Sequence, residues 1–201
     1  MYSGGMTAPA DRTRQRILDA ATEEFAARGI AGARVDRIAA ASGMSKPMLY
    51  SHFGGKDRLF DAAFAEHVIA NGDRVPFTAD DLPGYAARLY DDYLQDPALA
   101  RLVMWKRLER DATGYLYPGL EEHDAAHQRD IVEAQAAGRI RADLDPDDVW
   151  TLLIATAASW AQVSITTVAS GDDAVDLHAR RRDALAAYVR DGLCGGGPAR
   201  G

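Results

Sequence analysis

The stretch "SGMSKPMLYSHFGGK", residues 42–56, decides the fold of this chain. Pro47 stands inside what otherwise reads as a short helix, with Leu49 and Phe53 four residues apart on one face. A proline breaks a helix interior but fits the first turn, where its missing N–H had no intrahelical partner to lose. Ser45 is the residue type that caps a helix N-terminus, so a helix over about 45–53 puts Pro47 in that turn. Gly43 then supplies the positive φ of a tight turn out of the preceding segment "VDRIAAAS", whose Val35, Ile38 and Ala39 repeat at helical spacing. Two short helices about such a turn form a helix-turn-helix, whose second helix enters the major groove of DNA by its first turn.

Helical periodicity extends in both directions. Upstream, "TRQRILDAATEEFAAR" sets Ile17, Leu18, Ala21 and Phe25 on one stripe, with Gly29 as the stop. Downstream, "KDRLFDAAFAEHVIAN" carries a double-width stripe of Leu59, Phe60, Ala63, Phe64, His67 and Val68, which predicts a helix covered on two sides. Longer helices are predicted over about 80–95, 97–111, 119–138, 146–169 and 172–191, with Pro76, Pro97, Pro118 and Pro146 at places where a proline opens or precedes a helix. No alternating strand pattern of useful length occurs. The expected class is all-α, with about nine helices.

The chain has 201 residues and a formal charge of −7, and it is 47% hydrophobic and 26% charged, which are globular values. The charge is unevenly distributed. Residues 11–58 hold nine Arg and Lys against six Asp and Glu, a net +3, which leaves −10 on the remainder. A basic front module on an acidic body binds a polyanion locally while the body resists wrapping. No uninterrupted apolar run of about 18 residues suggests a membrane span. The opening "MYSGGMTAPA" lacks the features of a signal peptide, so a cytoplasmic location is expected. The one cysteine, Cys194, excludes an internal disulfide and any multi-cysteine zinc site.

The combined pattern "T-x-x-x-I-L-x-A-A-x-x-x-F-x-x-x-G" followed by "V-x-x-I-A-x-x-x-G-M-S-K-x-x-L-Y-x-H-F-x-x-K-x-x-L", from Thr13 to Leu59, resembles the DNA-binding domain of TetR-type transcriptional regulators. Beyond it the chain resembles that family in being helical and in "GRIRADLDPDDVWTLL". The resemblance implies that Lys46, Pro47 and Ser51 face base edges and that Tyr50, His52 and Lys56 hold phosphates. The chemistry agrees, because a phenol, an imidazole N–H and an ammonium donate well to phosphate, and a lysine can reach guanine. Three departures stand out. Met48 replaces a more usual Thr or Ser. Arg34 takes the place of a capping Thr or Ser and can meet a phosphate instead. Gly54 and Gly55 stand where a Ser or Asn commonly opens helix 4. The resemblance also implies a homodimer through the two C-terminal helices, a pseudo-palindromic operator in double-stranded DNA, and a small-molecule effector.

The expected division is a tail over 1–10, a DNA-binding domain over 11–70, a ligand-binding and dimerisation domain over 71–193 and a tail over 194–201. Large side chains crowd "LVMWKRLER" and "GYLYPG", and a pocket for an apolar or aromatic effector is expected from Leu102, Trp105, Leu108, Tyr115, Tyr117, His127 and Trp160. Each of these can equally be core. "EEHDAAH" sets His123 and His127 one turn apart, but with no third ligand a metal site is not expected, nor any cofactor. No catalytic constellation is visible. The reading is a repressor released from its operator by an effector. The alternatives are a ligand-independent DNA-bound assembly factor and a helical metal-binding protein or enzyme using His123 and His127.

Overall fold

The computed structural model of the protein describes residues 9–111, 113–116 and 120–195. Among them are nine α-helices: α1 Pro9–Gly32, α2 Val35–Ser42, α3 Lys46–Phe53, α4 Lys56–Arg74, α5 Leu82–Gln95, α6 Pro97–Glu109, α7 Leu120–Ala136, α8 Pro146–Ala157 and α9 Val175–Leu193. A 3-10 turn, Ala158–Trp160, follows α8, and the only extended pairing among the described residues is an isolated bridge between Ile140 and Cys194. The all-α expectation is met. The chain divides into two compact units, one up to Ile69 together with Arg101–Thr113, the other Ala70–Ala100 together with the chain from Gly114 onward.

In the first unit, Ile17, Phe25, Ile38, Leu49, Leu59, Phe60 and Phe64 are buried, the apolar stripes read from the sequence. Phe25 meets Phe60 edge-on at 5.2 Å, and Phe60 stacks on Phe64. α1 bends where Gly29 adopts φ 72°, ψ −180°, a backbone state essentially reserved for glycine. The segment Arg101–Thr113 reaches this unit from much later in the chain. Its Trp105 indole N–H donates to the Ala26 carbonyl (3.2 Å), and the Ala31 N–H donates to Glu109 Oε2 (2.6 Å). Arg110 bridges Asp57 and Asp61 at 2.6 and 2.8 Å, with its guanidinium 4.9 Å above the Phe60 ring. Lys106 is buried and paired with Asp111 at 2.8 Å.

The second unit is built on α5, whose Leu82, Tyr85, Ala86 and Leu89 share a core with Ile131 and Ala134 of α7, Val149 and Leu153 of α8, and Val189 and Leu193 of α9. Asp92 fixes the end of α4 on α5. It is buried, accepts from Asn71 Nδ2 at 2.7 Å, and forms a two-pronged pair with Arg74.

Two expectations need correction. The helix expected over 146–169 ends at Ala157, and after the 3-10 turn the chain is irregular to Ala174. Val163, Ile165, Thr166, Thr167 and Val168 are β-branched, and Ser164 Oγ accepts from the N–H groups of Thr166 and Thr167 (3.4 and 3.3 Å), so a side-chain turn replaces the helix there. A bond from the Ala169 N–H to the Trp160 carbonyl (2.8 Å) closes the neck of this segment. The tail expected from 194 does not begin there. Gly195 N–H donates to the Arg139 carbonyl at 2.8 Å and Cys194 packs against the core, where burial pushes its thiol up. Residues 1–8 and 196–201 of the expected tails lie outside the described residues.

Candidate functional site

An eight-residue helix is too short to persist alone in water, so α3 depends on its two buried residues. Leu49 and Phe53 are 2% and 7% exposed, and each contributes about 1.5–3 kcal/mol by burial. Ser45 Oγ accepts from the Met48 N–H (3.4 Å) at the head of the helix, and Pro47 sits in the first turn. Gly43 has φ 69° before α3 and Gly54 has φ 76° after it. With only Leu49 and Phe53 turned inward, Lys46, Pro47, Met48, Tyr50, Ser51 and His52 are all exposed. One helix thus presents every side chain named for base and phosphate contact within it.

Three of the named residues also have partners in the protein. Lys46 Nζ lies 2.9 Å from Asp36 Oδ1, a contact that raises the lysine above its ordinary value, chiefly through the hydrogen bond. Lys56 Nζ donates to the carbonyls of Ala31 and Ala33, each at 3.2 Å, and so holds the end of α1. Two of its three protons are therefore used inside the protein. Arg34 precedes α2 without a side-chain cap, and its N–H donates to Glu24 Oε1 at 3.0 Å. Its guanidinium is exposed. Glu24 also binds Arg37 (2.5 Å) and Arg28 (3.4 Å), and the Arg37 hydrogen bond holds its carboxyl below the usual range.

Three exposed arginines were not singled out from the sequence. Arg16 Nη2 lies 2.8 Å from where a Cβ on Gly43 would stand, and Arg58 Nη1 lies 3.2 Å from the same point on Gly54, so guanidinia flank α3 at both ends. Arg14 lies 5.0 Å over the Phe53 ring. None of the three is in an ion pair among the described residues. The alternating Arg12, Arg14, Arg16 at the start of α1 was the available signal, but without the fold nothing tied it to α3.

The residues expected to share one pocket are drawn from both units. Leu102 and Trp105 belong to the first unit, where Leu102 is fully buried and Trp105 lies against the bare backbone of Gly29; a Cβ there would stand 2.8 Å from its ring. Leu108 is 71% exposed. In the second unit, His127 packs at a tilt against Phe77 (4.7 Å) and Trp150 (4.3 Å), and Tyr115 lies exposed beside a shallow depression with Trp150 and Asp147. Tyr117 and the side chain of His123 are outside the described residues, among which no three His, Cys, Asp or Glu come together as metal ligands. Nor is any described helix long and apolar enough to cross a membrane.

Trp160 does line a cavity. It has a volume of about 350 Å³ and lies between α5, the 3-10 turn and the irregular segment, with Tyr90, Tyr93, Leu94, Val168 and Ala169 in its walls. Tyr90 meets Trp160 edge-on at 6.1 Å, and its hydroxyl lies 2.6 Å from His178 Nδ1. Buried Arg181 sits 5.8 Å over the Trp160 ring and pairs with Asp173 at 2.6 Å. Of the "ARRRD" run on α9, Arg181 is thus internal, and Arg182 pairs with Asp91 at 2.8 Å.

Comparison with known proteins bears on both units. Residues 17–63 match the family described as bacterial regulatory proteins, tetR family, and residues 81–190 match the tetracyclin repressor-like C-terminal domain. The HTH-type transcriptional repressor SCO4008 of Streptomyces coelicolor is 33% identical over 171 residues, covering 83% of this chain and 88% of the relative. Among solved structures, the transcriptional regulator SCO4942 of Streptomyces coelicolor aligns with a TM-score of 0.75 at 34% identity, over 90% of this chain and 98% of that one. Salmonella enterica GusR aligns with a TM-score of 0.66 at 27% identity, over 92% and 98%.

Proposed function

This chain belongs to the tetR family of bacterial regulatory proteins, and on that premise we propose that it is a cytoplasmic, homodimeric repressor released from its operator by a small molecule. The observation that carries the DNA-binding part is the exposed face of α3 flanked by Arg16 and Arg58. Lys46, Pro47, Met48 and Ser51 meet base edges, while Tyr50, His52, Arg34 and the flanking arginines hold phosphates; Ser45 caps the helix, and Lys56 reaches DNA with its one remaining proton. Repression is supported by the name of the Streptomyces coelicolor relative.

Dimerisation uses α8 and α9, where Leu152, Val175 and Tyr188 are 49%, 78% and 68% exposed. A second copy covers this apolar surface and sets two α3 helices about 34–36 Å apart, one DNA turn. The cavity beside Trp160 supports effector control over a ligand-independent assembly role. α4 and α6 each begin in one unit and end in the other, so an occupant of the second unit has covalent routes to the first, with a coupling of about 1–3 kcal/mol.

Selection of bound duplexes from a random DNA pool tests the reading. A pseudo-palindrome with half-sites one turn apart is expected, and fused to a reporter promoter it is silenced by the protein. An asymmetric single site, or no enrichment, refutes it.

A further inference from the structure

The cavity beside Trp160 has a chemical character of its own. None of its lining residues carries a charge at neutral pH. Arg181, over the Trp160 ring, is compensated by Asp173 and also donates to the Tyr90 hydroxyl (3.4 Å). An ion entering the cavity would lose part of its hydration and meet no charged side chain in the walls, a cost that a neutral molecule avoids. The walls combine aromatic and aliphatic side chains with Gln162, Ser170 and exposed polar atoms, and Tyr90 and Trp160 are set edge to face so that a flat ring can continue the pattern.

Two polar side chains in the wall, Tyr93 and Gln162, are uncommitted, while Ser170 Oγ accepts from the Asp172 N–H (3.2 Å). Tyr90 has its hydroxyl tied to His178 and Arg181, but Tyr93 makes no hydrogen bond among the described residues. Burial pushes the Tyr93 phenol up to about 12, so it remains protonated and able to donate. Size narrows the occupant further. A dry apolar cavity of roughly 150 Å³ takes benzene, so about 350 Å³ suits two or three fused rings.

We propose that this cavity binds a neutral, fused-ring aromatic molecule bearing one hydrogen-bond acceptor, which Tyr93 engages through its hydroxyl while Trp160 and Tyr90 hold the rings. This rests on, and sharpens, the effector-released reading. Val168, 41% exposed, and buried Ala161 both line the cavity, so both are points at which the space can be filled.

Calorimetry on the full chain without DNA tests the site with three probes sharing one ring system: 2-naphthol, which is neutral, 2-naphthoate, an anion, and 2-naphthylmethylammonium, a cation. The neutral probe is expected to bind at least about tenfold tighter than either ion. Val168→Trp and Ala161→Trp should each abolish its binding, and Tyr93→Phe should weaken it about 3–10-fold without changing the order of the three. Because Ala161 is buried and Val168 is exposed, Val168→Trp serves as the variant least able to disturb folding. Equal binding of the ions, unaltered binding in Val168→Trp, or no binding of 2-naphthol up to about 1 mM overturns the proposal. The measurement needs no operator, so its failure is separable from failure of the DNA-binding reading, which the duplex selection reads alone.

Discussion

Lys46 Nζ lies 2.9 Å from Asp36 Oδ1, so the cation at the head of α3 is held by the helix before it, and both side chains stand in solvent. A lysine held in this way must exchange a carboxylate for DNA when it binds. Asp36 therefore costs affinity while giving Lys46 a fixed starting direction. Asp36→Asn should tighten binding to random duplex about 3–10-fold at low salt, while the preference for operator over random DNA narrows. Anisotropy titrations on both duplexes check this, and an unchanged ratio with unchanged affinity counts against it.

Lys56 and Tyr50 separate structural from phosphate-binding roles. Lys56→Ala removes two hydrogen bonds from the end of α1 and should cost about 1–2 kcal/mol of stability along with DNA affinity. Tyr50 is 46% exposed, so Tyr50→Phe should leave the melting temperature unchanged and weaken binding to all sequences alike. Thermal scans beside DNA titrations distinguish the two.

Glycine at 43 is required by backbone geometry. With φ 69° and Arg16 against the vacant Cβ position, Gly43→Ala should destabilise the protein by about 1–2 kcal/mol. It should also displace Arg16, adding a loss of DNA affinity that Gly55→Ala, where nothing stands within 4 Å, lacks. Urea denaturation and anisotropy on the two variants provide the comparison.

Acid should release the Glu24 cluster. Its carboxyl lies below the reference value of 4.5 in the folded protein, first because Arg37 binds it. That stabilisation is complete above the unfolded value and fades as pH falls through the folded one. The difference in melting temperature between the wild type and Glu24→Gln should be largest near about pH 7 and shrink toward about pH 3. A difference that is constant with pH contradicts the assignment.

The helix-turn-helix was legible because its determinants are local. Gly43, Ser45, Pro47, Leu49 and Phe53 fall within eleven residues, and each has a single sterically sensible use. The cavity was not legible, because its walls come from α5, the 3-10 turn and the segment after it, about seventy residues apart, and because the apolar density of 146–169 disguised a run of β-branched residues that ends the helix. Trp105 was misleading for a related reason. Aromatic crowding along "LVMWKRLER" suggested a pocket, whereas the side chain's place is made by an absent Cβ on Gly29, more than seventy residues earlier.

The arrival of Arg101–Thr113 in the first unit has a consequence for how the protein is made. Phe60, Asp57, Asp61 and the kink at Gly29 are synthesised early, but their partners Arg110, Glu109 and Trp105 leave the ribosome only after more than half of the 201 residues have been joined. Until then the nascent DNA-reading module has an uncovered flank. A half-made chain therefore carries α3 on a module whose Gly29 kink and Asp57–Asp61 edge lack these contacts, and a cut before residue 101 leaves a fragment that is less stable and more open to proteolysis than the whole protein.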